Sequence, residues 1–295
     1  MEPRRSAHAF FVLALSLVSL HCVALGTIDP QNTRIIGRSD GTGRPLSVRE
    51  VLGTPTAYYI APALDAVTVE IPASHDHPPE TTNVEVTLMI REALALWQRA
   101  NRVFQPTSTV PTSQFQGIRF AYSRDLSDQS FGYTILDVPR NQAQVNLVIP
   151  LIGIRARAMF NAYQSQGIID QGMSLQTFVG MLVWLTVVHE IGHALGLIHP
   201  EDMGASDVLG RPYLELLPRS SGNTTPSVIV SSTTVYFQQL HQRLERPVTA
   251  ADIRPSPEDM RGVDYAWRGM SASLLTRIMS TIFACSPVTS NCTGQ

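Results

Sequence analysis

The sequence predicts an α+β fold in which short strands and long helices alternate along the chain. Of its 295 residues, 44% are apolar and 16% are charged, which is the composition of an ordinary globular protein. Short runs rich in β-branched and aromatic residues predict strands, and two longer segments with dense or regularly spaced apolar residues predict helices. The chain can therefore bury a real hydrophobic core.

Residues 1–26 predict a secretory signal peptide. Two arginines precede an apolar run from Ala9 to Leu20, and small residues at Ala24 and Gly26 offer a cleavage site before Thr27. The apolar run is shorter than the roughly 20 residues of a membrane-spanning helix, so a membrane anchor is the weaker alternative. We therefore expect a secreted, extracellular protein without stable membrane association after signal cleavage.

Three further regions follow the signal peptide. Residues 27–53 are rich in Arg, Gly, Asp and Pro, and they predict a leader or a short pro-segment. Residues 54–269 hold the predicted main domain, and residues 270–295 form a tail in which Cys285 and Cys292 predict a disulfide, with two free thiols as the alternative. A net charge of -2 and a pI near 6.4 give no reason to expect nucleic-acid binding.

The first half of the main domain predicts a sheet with one packed helix. Residues 66–71 alternate like a strand, and Val84 to Asn101 has the apolar spacing of an amphipathic helix. Further strands are predicted at Ile118 to Tyr122, Tyr133 to Val138 and Val145 to Ile149. Between the first strand and the helix, His75-Asp76-His77 could chelate a metal, but two neighbouring prolines favour a solvated turn.

The segment from Ser174 to Leu197 is the most apolar part of the chain after the signal peptide. Apolar residues cover nearly every face, which predicts a helix buried on all sides. The apolar stretch reaches His189 after about a dozen residues, too few to cross a bilayer. We therefore expect a core helix that carries polar groups at its carboxyl end.

Those polar groups have the spacing of a metal site. Residues four apart lie one turn above each other on a helix, so His189 and His193 can bind the same ion. Glu190 lies about 100° further round, within reach of a metal-bound water. Gly196 can adopt a backbone conformation closed to most residues, which lets the chain turn and bring back His199 as a third ligand.

This ligand set predicts one catalytic zinc ion. Three neutral imidazoles and an open fourth position are typical of catalytic zinc, which can lower the pKa of bound water from about 15.7 to about 7. Glu190 would take a proton from that water as a general base during attack on a peptide carbonyl.

In these residues the chain resembles the metzincin zinc metallopeptidases, and within them the matrixin (matrix metalloproteinase-like) branch. The run from His189 to His199 matches the extended zinc signature, the helix from Val84 resembles the first helix of a matrixin domain, and Ser256 to Tyr265 is similar to the start of its last helix. The resemblance implies a metzincin (zincin) catalytic domain with a twisted, mostly parallel sheet and a long active-site helix. It also implies that a polypeptide substrate binds along an edge strand.

The chain departs from the matrixin pattern in three places. The methionine expected in a turn beneath the zinc is replaced by Ile229 or, less favoured, by Met203. No cysteine lies between Thr27 and Asn83, which excludes thiolate inhibition from that region. The pattern of a second, structural zinc is missing, so we expect a single zinc ion, and the calcium sites common in that family have no clear acidic loop here.

The sequence therefore predicts a secreted zinc-dependent endopeptidase, with His189, His193 and His199 as metal ligands and Glu190 as the catalytic base. Two alternatives remain open. One is a catalytically weak or inactive binding protein with a metzincin fold, and the other is a zinc amidohydrolase that acts on small substrates. The intact Glu190 argues against the inactive protein, and the altered turn beneath the metal argues mildly for it.

Overall fold

A computed structural model describes residues 47–127, 129–137, 140–197, 199 and 225–268. The predicted signal peptide, most of the predicted leader, Met203 and the tail with its two cysteines lie outside the described residues. The strands are β1 (Thr56–Ile60), β2 (Val67–Ile71), β3 (Glu80–Val84), β4 (Phe104–Pro106), β5 (Gly117–Tyr122), β6 (Gly132–Asp137) and β7 (Gln142–Leu147). The helices are α1 (Val48–Leu52), α2 (Val86–Trp97), α3 (Ile149–Ser165), α4 (Leu175–Ala194), α5 (Thr233–Leu244) and α6 (Pro257–Arg268).

The central sheet has five strands in the order β4-β1-β5-β7-β6. Four of them run parallel, and the edge strand β6 runs antiparallel to β7. This α/β arrangement is compatible with the predicted α+β fold class, and the mostly parallel sheet that the resemblance implies is present. Strands β5 and β6 follow the predicted segments closely, but β7 ends at Leu147 and residues 148–149 lead into α3.

Strand β2 does not join this sheet. Among the described strands it pairs with β3 alone, in an antiparallel two-stranded hairpin, so the prediction that residues 66–71 share a sheet with the later strands is wrong. The hairpin packs on α3, where Gly153 lets the backbones approach: a Cβ at that position would lie 2.1 Å from the carbonyl oxygen of Glu70. The alternation of buried and exposed residues in β2 is thus satisfied against a helix.

Helix α4 is the buried helix that the apolar segment predicts. Ser174 caps its amino end by accepting a hydrogen bond from the Thr177 amide. The described part of the chain contains one helix, α4, that is long and apolar enough to span a membrane. However, 78% of its most apolar window is buried inside the protein. It is therefore a core helix, and Trp97 of α2 ties to it by donating its indole N–H to the Val188 carbonyl oxygen, at 3.0 Å.

Helix α1 lies inside the predicted leader and is part of the core. Ser47 and Glu50 form a reciprocal cap at its amino end, and Val48, Val51 and Leu52 are buried. Val48 lies against the turn that follows α4, which places this short helix directly behind the predicted metal site.

Candidate metal centre

The structure brings the three predicted histidines to one point. The Nε2 atom of His193 lies 3.0 Å from that of His189 and 3.1 Å from that of His199, and the remaining pair is 3.3 Å apart. His189 and His193 stand one turn apart near the carboxyl end of α4, whereas His199 follows the helix. Among the described residues, these three side chains form the group that could hold a metal ion.

The backbone fixes two of the three rings. The Nδ1 atom of His189 lies 2.8 Å from the Val228 carbonyl oxygen, and that of His193 lies 2.8 Å from the Leu197 carbonyl oxygen. A carbonyl oxygen can only accept, so each Nδ1 carries the proton and each Nε2 keeps its lone pair. The Nε2 atoms that lie close together therefore belong to imidazole rings that are oriented as metal ligands.

Burial keeps these rings neutral. Burial, followed by the charge of His199, lowers the pKa of His193 to about 3. Burial also lowers the pKa of His189 well below its usual range, and the neighbouring charges of His193 and His199 act in the same direction. Neutral imidazole is the form that binds metals, so both rings are held in the binding form at neutral pH.

A glycine turn returns the chain to the site, as predicted. Gly196 has a φ of 94°, in the region that favours glycine. The amides of Gly196 and Leu197 donate to the carbonyl oxygens of His193 and Gly192, which closes the end of α4. A Cβ on Gly196 would lie 2.8 Å from Val48, so this position also lacks room for a side chain.

Ile229 forms an apolar floor beneath α4, whereas Met203, the other residue considered for the turn beneath the metal, lies outside the described residues. It is 1% exposed, and its Cδ1 atom lies 2.3 Å from where a Cβ on Gly192 would be. The Trp97 ring also approaches this position, and its Cζ2 atom would lie 3.1 Å from the same Cβ. Gly192, between the two helical histidines, therefore allows the floor to touch the backbone of α4.

Glu190 is fully buried against the edge strand. The Thr134 hydroxyl of β6 lies 2.8 Å from Glu190 Oε2 and 3.0 Å from the Glu190 carbonyl oxygen, either of which can accept its hydrogen bond. Gly132 of the same strand gives the carboxylate room, because a Cβ there would lie 2.9 Å from Glu190 Cγ. The sequence did not reveal either partner, since both contacts arise only when β6 packs on α4.

His75 and His77 take no part in this cluster. They lie on an exposed turn, and His75 Nδ1 is 2.7 Å from the neighbouring Asp76 carboxylate. The expectation of a solvated turn is therefore confirmed.

The spacing of the three nitrogens fits a tetrahedral zinc ion. Ligand nitrogens about 2.0–2.1 Å from one zinc ion lie about 3.3 Å apart, close to the measured distances. An ion held by three neutral imidazoles keeps a fourth position for water, and zinc in such a site acts as a Lewis acid. The role of Glu190 as a general base stays a prediction.

No family model matches this chain, and a search of curated proteins finds no match either. A search of solved structures finds similarity to the GM1 bound form of the ECX AB5 holotoxin, with a TM-score of 0.62 and 25% sequence identity. The match covers 80% of this chain and 90% of that chain. It thus extends over the fold as a whole and far beyond the zinc signature.

This comparison overturns the predicted function. The sequence predicts a secreted zinc endopeptidase of the matrixin type, whereas the similar solved structure is the GM1 bound form of an AB5 holotoxin. The physical reason is that the histidines and Glu190 specify a metal and a nearby carboxylate and say nothing of a substrate. The same site residues can serve different substrates, and one fold can serve several functions. The assignment to proteases and metalloproteases is therefore withdrawn.

Proposed function

We propose that this chain is a metal-binding subunit of a secreted toxin assembly. The observation that carries the proposal is the structural match over 90% of a chain from a GM1-bound AB5 holotoxin. A match over 80% of this chain, with a TM-score of 0.62, supports a shared fold. The signal-peptide pattern of residues 1–26 supports secretion independently of the match.

The proposal changes the expected partners. In place of a polypeptide substrate, we infer that the chain works with partner chains in an assembly whose target surface carries GM1. That assembly needs no nucleic acid, in keeping with the net charge of -2.

We further propose that His189, His193 and His199 hold one zinc ion in this subunit. Their nearly equal Nε2 separations and the low pKa of His193 support a preformed site. The position of the glycine turn and the apolar floor beneath α4 also agree with the metzincin resemblance, which we retain as a proposal about architecture alone. No calcium site is proposed.

The test uses the full chain, secreted with its own signal peptide from its native source. We expect one zinc per chain, a high-mass complex with partner chains, and binding of that complex to phosphatidylcholine vesicles only when they contain GM1. A monomer that recruits no partner and ignores GM1 would contradict the toxin proposal. Chelator-sensitive cleavage of an unfolded protein that is lost in Glu190→Ala would show that the chain is a zinc endopeptidase, against the toxin proposal.

A further inference from the structure

A buried carboxylate joins the start of α6 to the loop beneath the metal site. Asp259 is 6% exposed, and its Oδ2 atom accepts hydrogen bonds from the amides of Val228, at 3.0 Å, and Ser256, at 2.9 Å. Its Oδ1 atom accepts a third hydrogen bond from the Ser227 hydroxyl. Asp259 thus ties together two segments about 30 residues apart in the chain.

The loop held in this way is the one that orients His189. The Val228 amide donates to Asp259, while the Val228 carbonyl oxygen accepts the proton of His189 Nδ1 at 2.8 Å. The Ser227 hydroxyl oxygen also accepts from the Ile229 amide at 3.1 Å, which fixes the turn that carries the apolar floor. A single residue, Val228, therefore links the Asp259 carboxylate to the predicted metal ligand His189.

Capping of α6 does not by itself account for this arrangement. The cap needs only the reciprocal pair between Ser256 and Asp259, in which each backbone amide donates to the other side chain. The bonds to Ser227 and Val228 are additional, and they point away from the helix. Burial raises the pKa of Asp259, so the carboxylate sits in a place that is unfavourable for its charge.

We propose that Asp259 is a positioning residue of the three-histidine site. By fixing the Val228 carbonyl, it holds the His189 ring in the orientation and tautomer that direct the Nε2 lone pair to the shared point. The inference rests on the proposed zinc binding. It adds a residue from the far end of the chain to the determinants of metal affinity.

The experiment compares zinc affinity, by chelator competition on the full secreted chain, between the wild type and three variants. Asp259→Ala leaves the Val228 amide unpaired and should weaken zinc binding about 10- to 100-fold, the usual cost of losing such a partner. Asp259→Asn keeps an acceptor for both amides and should stay close to the wild type. Asp264→Asn is the matched control, because Asp264 is on the same helix but pairs with Arg102 at 2.9 Å, away from the loop.

A second measurement separates this inference from the proposed function. In the metal-free protein, the ¹⁵N shifts of the His189 ring should report a protonated Nδ1 in the wild type and a mixture of tautomers in Asp259→Ala. If the wild type binds zinc but Asp259→Ala binds it equally well, the positioning role is wrong and the metal site stands. If the wild type binds no zinc, the metal proposal fails, and the ring shifts still decide whether Asp259 orients His189. Should Asp259→Ala not fold, Ser227→Ala serves instead, with a smaller loss expected and unchanged affinity as the contradicting result.

Discussion

Two described regions of this protein carry paired histidines beside an acidic residue, and in one of them the pair meets a third histidine in a group that could hold a metal ion. At the end of α4, His189 is buried and His193 is partly buried, and backbone carbonyl oxygens accept hydrogen bonds from their Nδ1 atoms. On the turn after β2, the side chains of His75 and Asp76 are 97% and 80% exposed and contact mainly each other. Similar residue types thus have very different surroundings.

The difference shows what makes histidines a metal site. Helical spacing places two rings on one face, and packing then removes water, keeps the rings neutral and fixes their tautomers. An exposed turn supplies none of these, so its histidines would lose side-chain entropy on binding a metal with no preorganisation to offset it.

Removal of one histidine ring should weaken zinc binding in the first region and have no effect in the second. His193→Ala removes one of three ligands, and we expect zinc affinity to fall by more than the roughly 100-fold that loss of an outer partner can cost. His77→Ala, the matched control on the exposed turn, should leave zinc content and affinity unchanged. Chelator competition measures both, and equal losses in the two variants would show that the buried cluster is not the binding site.

Acid should destabilise the metal-free protein through the buried rings. Because burial lowers the pKa of His193 to about 3 and that of His189 well below normal, both rings are neutral in the fold but titrate near 6.5 when unfolded. Their contribution to stability is complete above pH 6.5 and is lost as the pH falls toward 3. Each ring can lower the free energy of unfolding by up to about 1.4 kcal/mol per pH unit.

Denaturant unfolding between pH 7.5 and pH 5 measures this slope. His193→Gln should flatten it, whereas His75→Gln should leave it unchanged because that side chain stays in water in both states. A wild-type slope no steeper than that of His193→Gln would mean that the rings are not held neutral by the fold.

A methyl group between the two helical rings should disturb the floor. Gly192→Ala would place a Cβ 2.3 Å from Ile229, so we expect a loss of about 1–3 kcal/mol in the free energy of unfolding together with weaker zinc binding. Gly180→Ala in the same helix is the control, because its nearest neighbour is Met89 at 4.0 Å. It should gain up to about 1 kcal/mol, and a Gly192→Ala variant as stable as Gly180→Ala would contradict the close packing.

The sequence predicts best where the information is local. Spacing along one helix predicts α4 and the approach of His189 to His193, and the glycine turn predicts the return of His199. The structure brings these three histidines together as the sequence predicts. Helix α3 is not predicted from the sequence, because the apolar run from Val145 to Ile149 favours a strand. Pro150, at the second position of the helix, is nevertheless a recognisable start signal. A start signal of this kind has to be weighed against strand propensity wherever an apolar run ends in Pro.

Contacts between distant segments could not be predicted from local patterns. The pairing of β2 with β3 alone, the contact of Thr134 with Glu190 and the bond from Asp259 to Val228 each depend on how separate elements pack. Ser256 and Asp259 do show the spacing of a helix cap, so the sequence could reveal the cap but not its contact with the metal loop. The prediction of function was wrong for a related reason. The site residues determine what they bind, whereas the use of the site depends on the rest of the assembly.

The most direct test of the central claim is the zinc environment of the secreted full-length chain. X-ray absorption at the zinc edge should show one zinc per chain, with three histidine nitrogens at about 2.0–2.1 Å and one oxygen ligand from water. The His193→Ala variant should show one histidine nitrogen fewer. A wild-type chain that retains no zinc after purification, or zinc whose ligands are unchanged in His193→Ala, would contradict the three-histidine site.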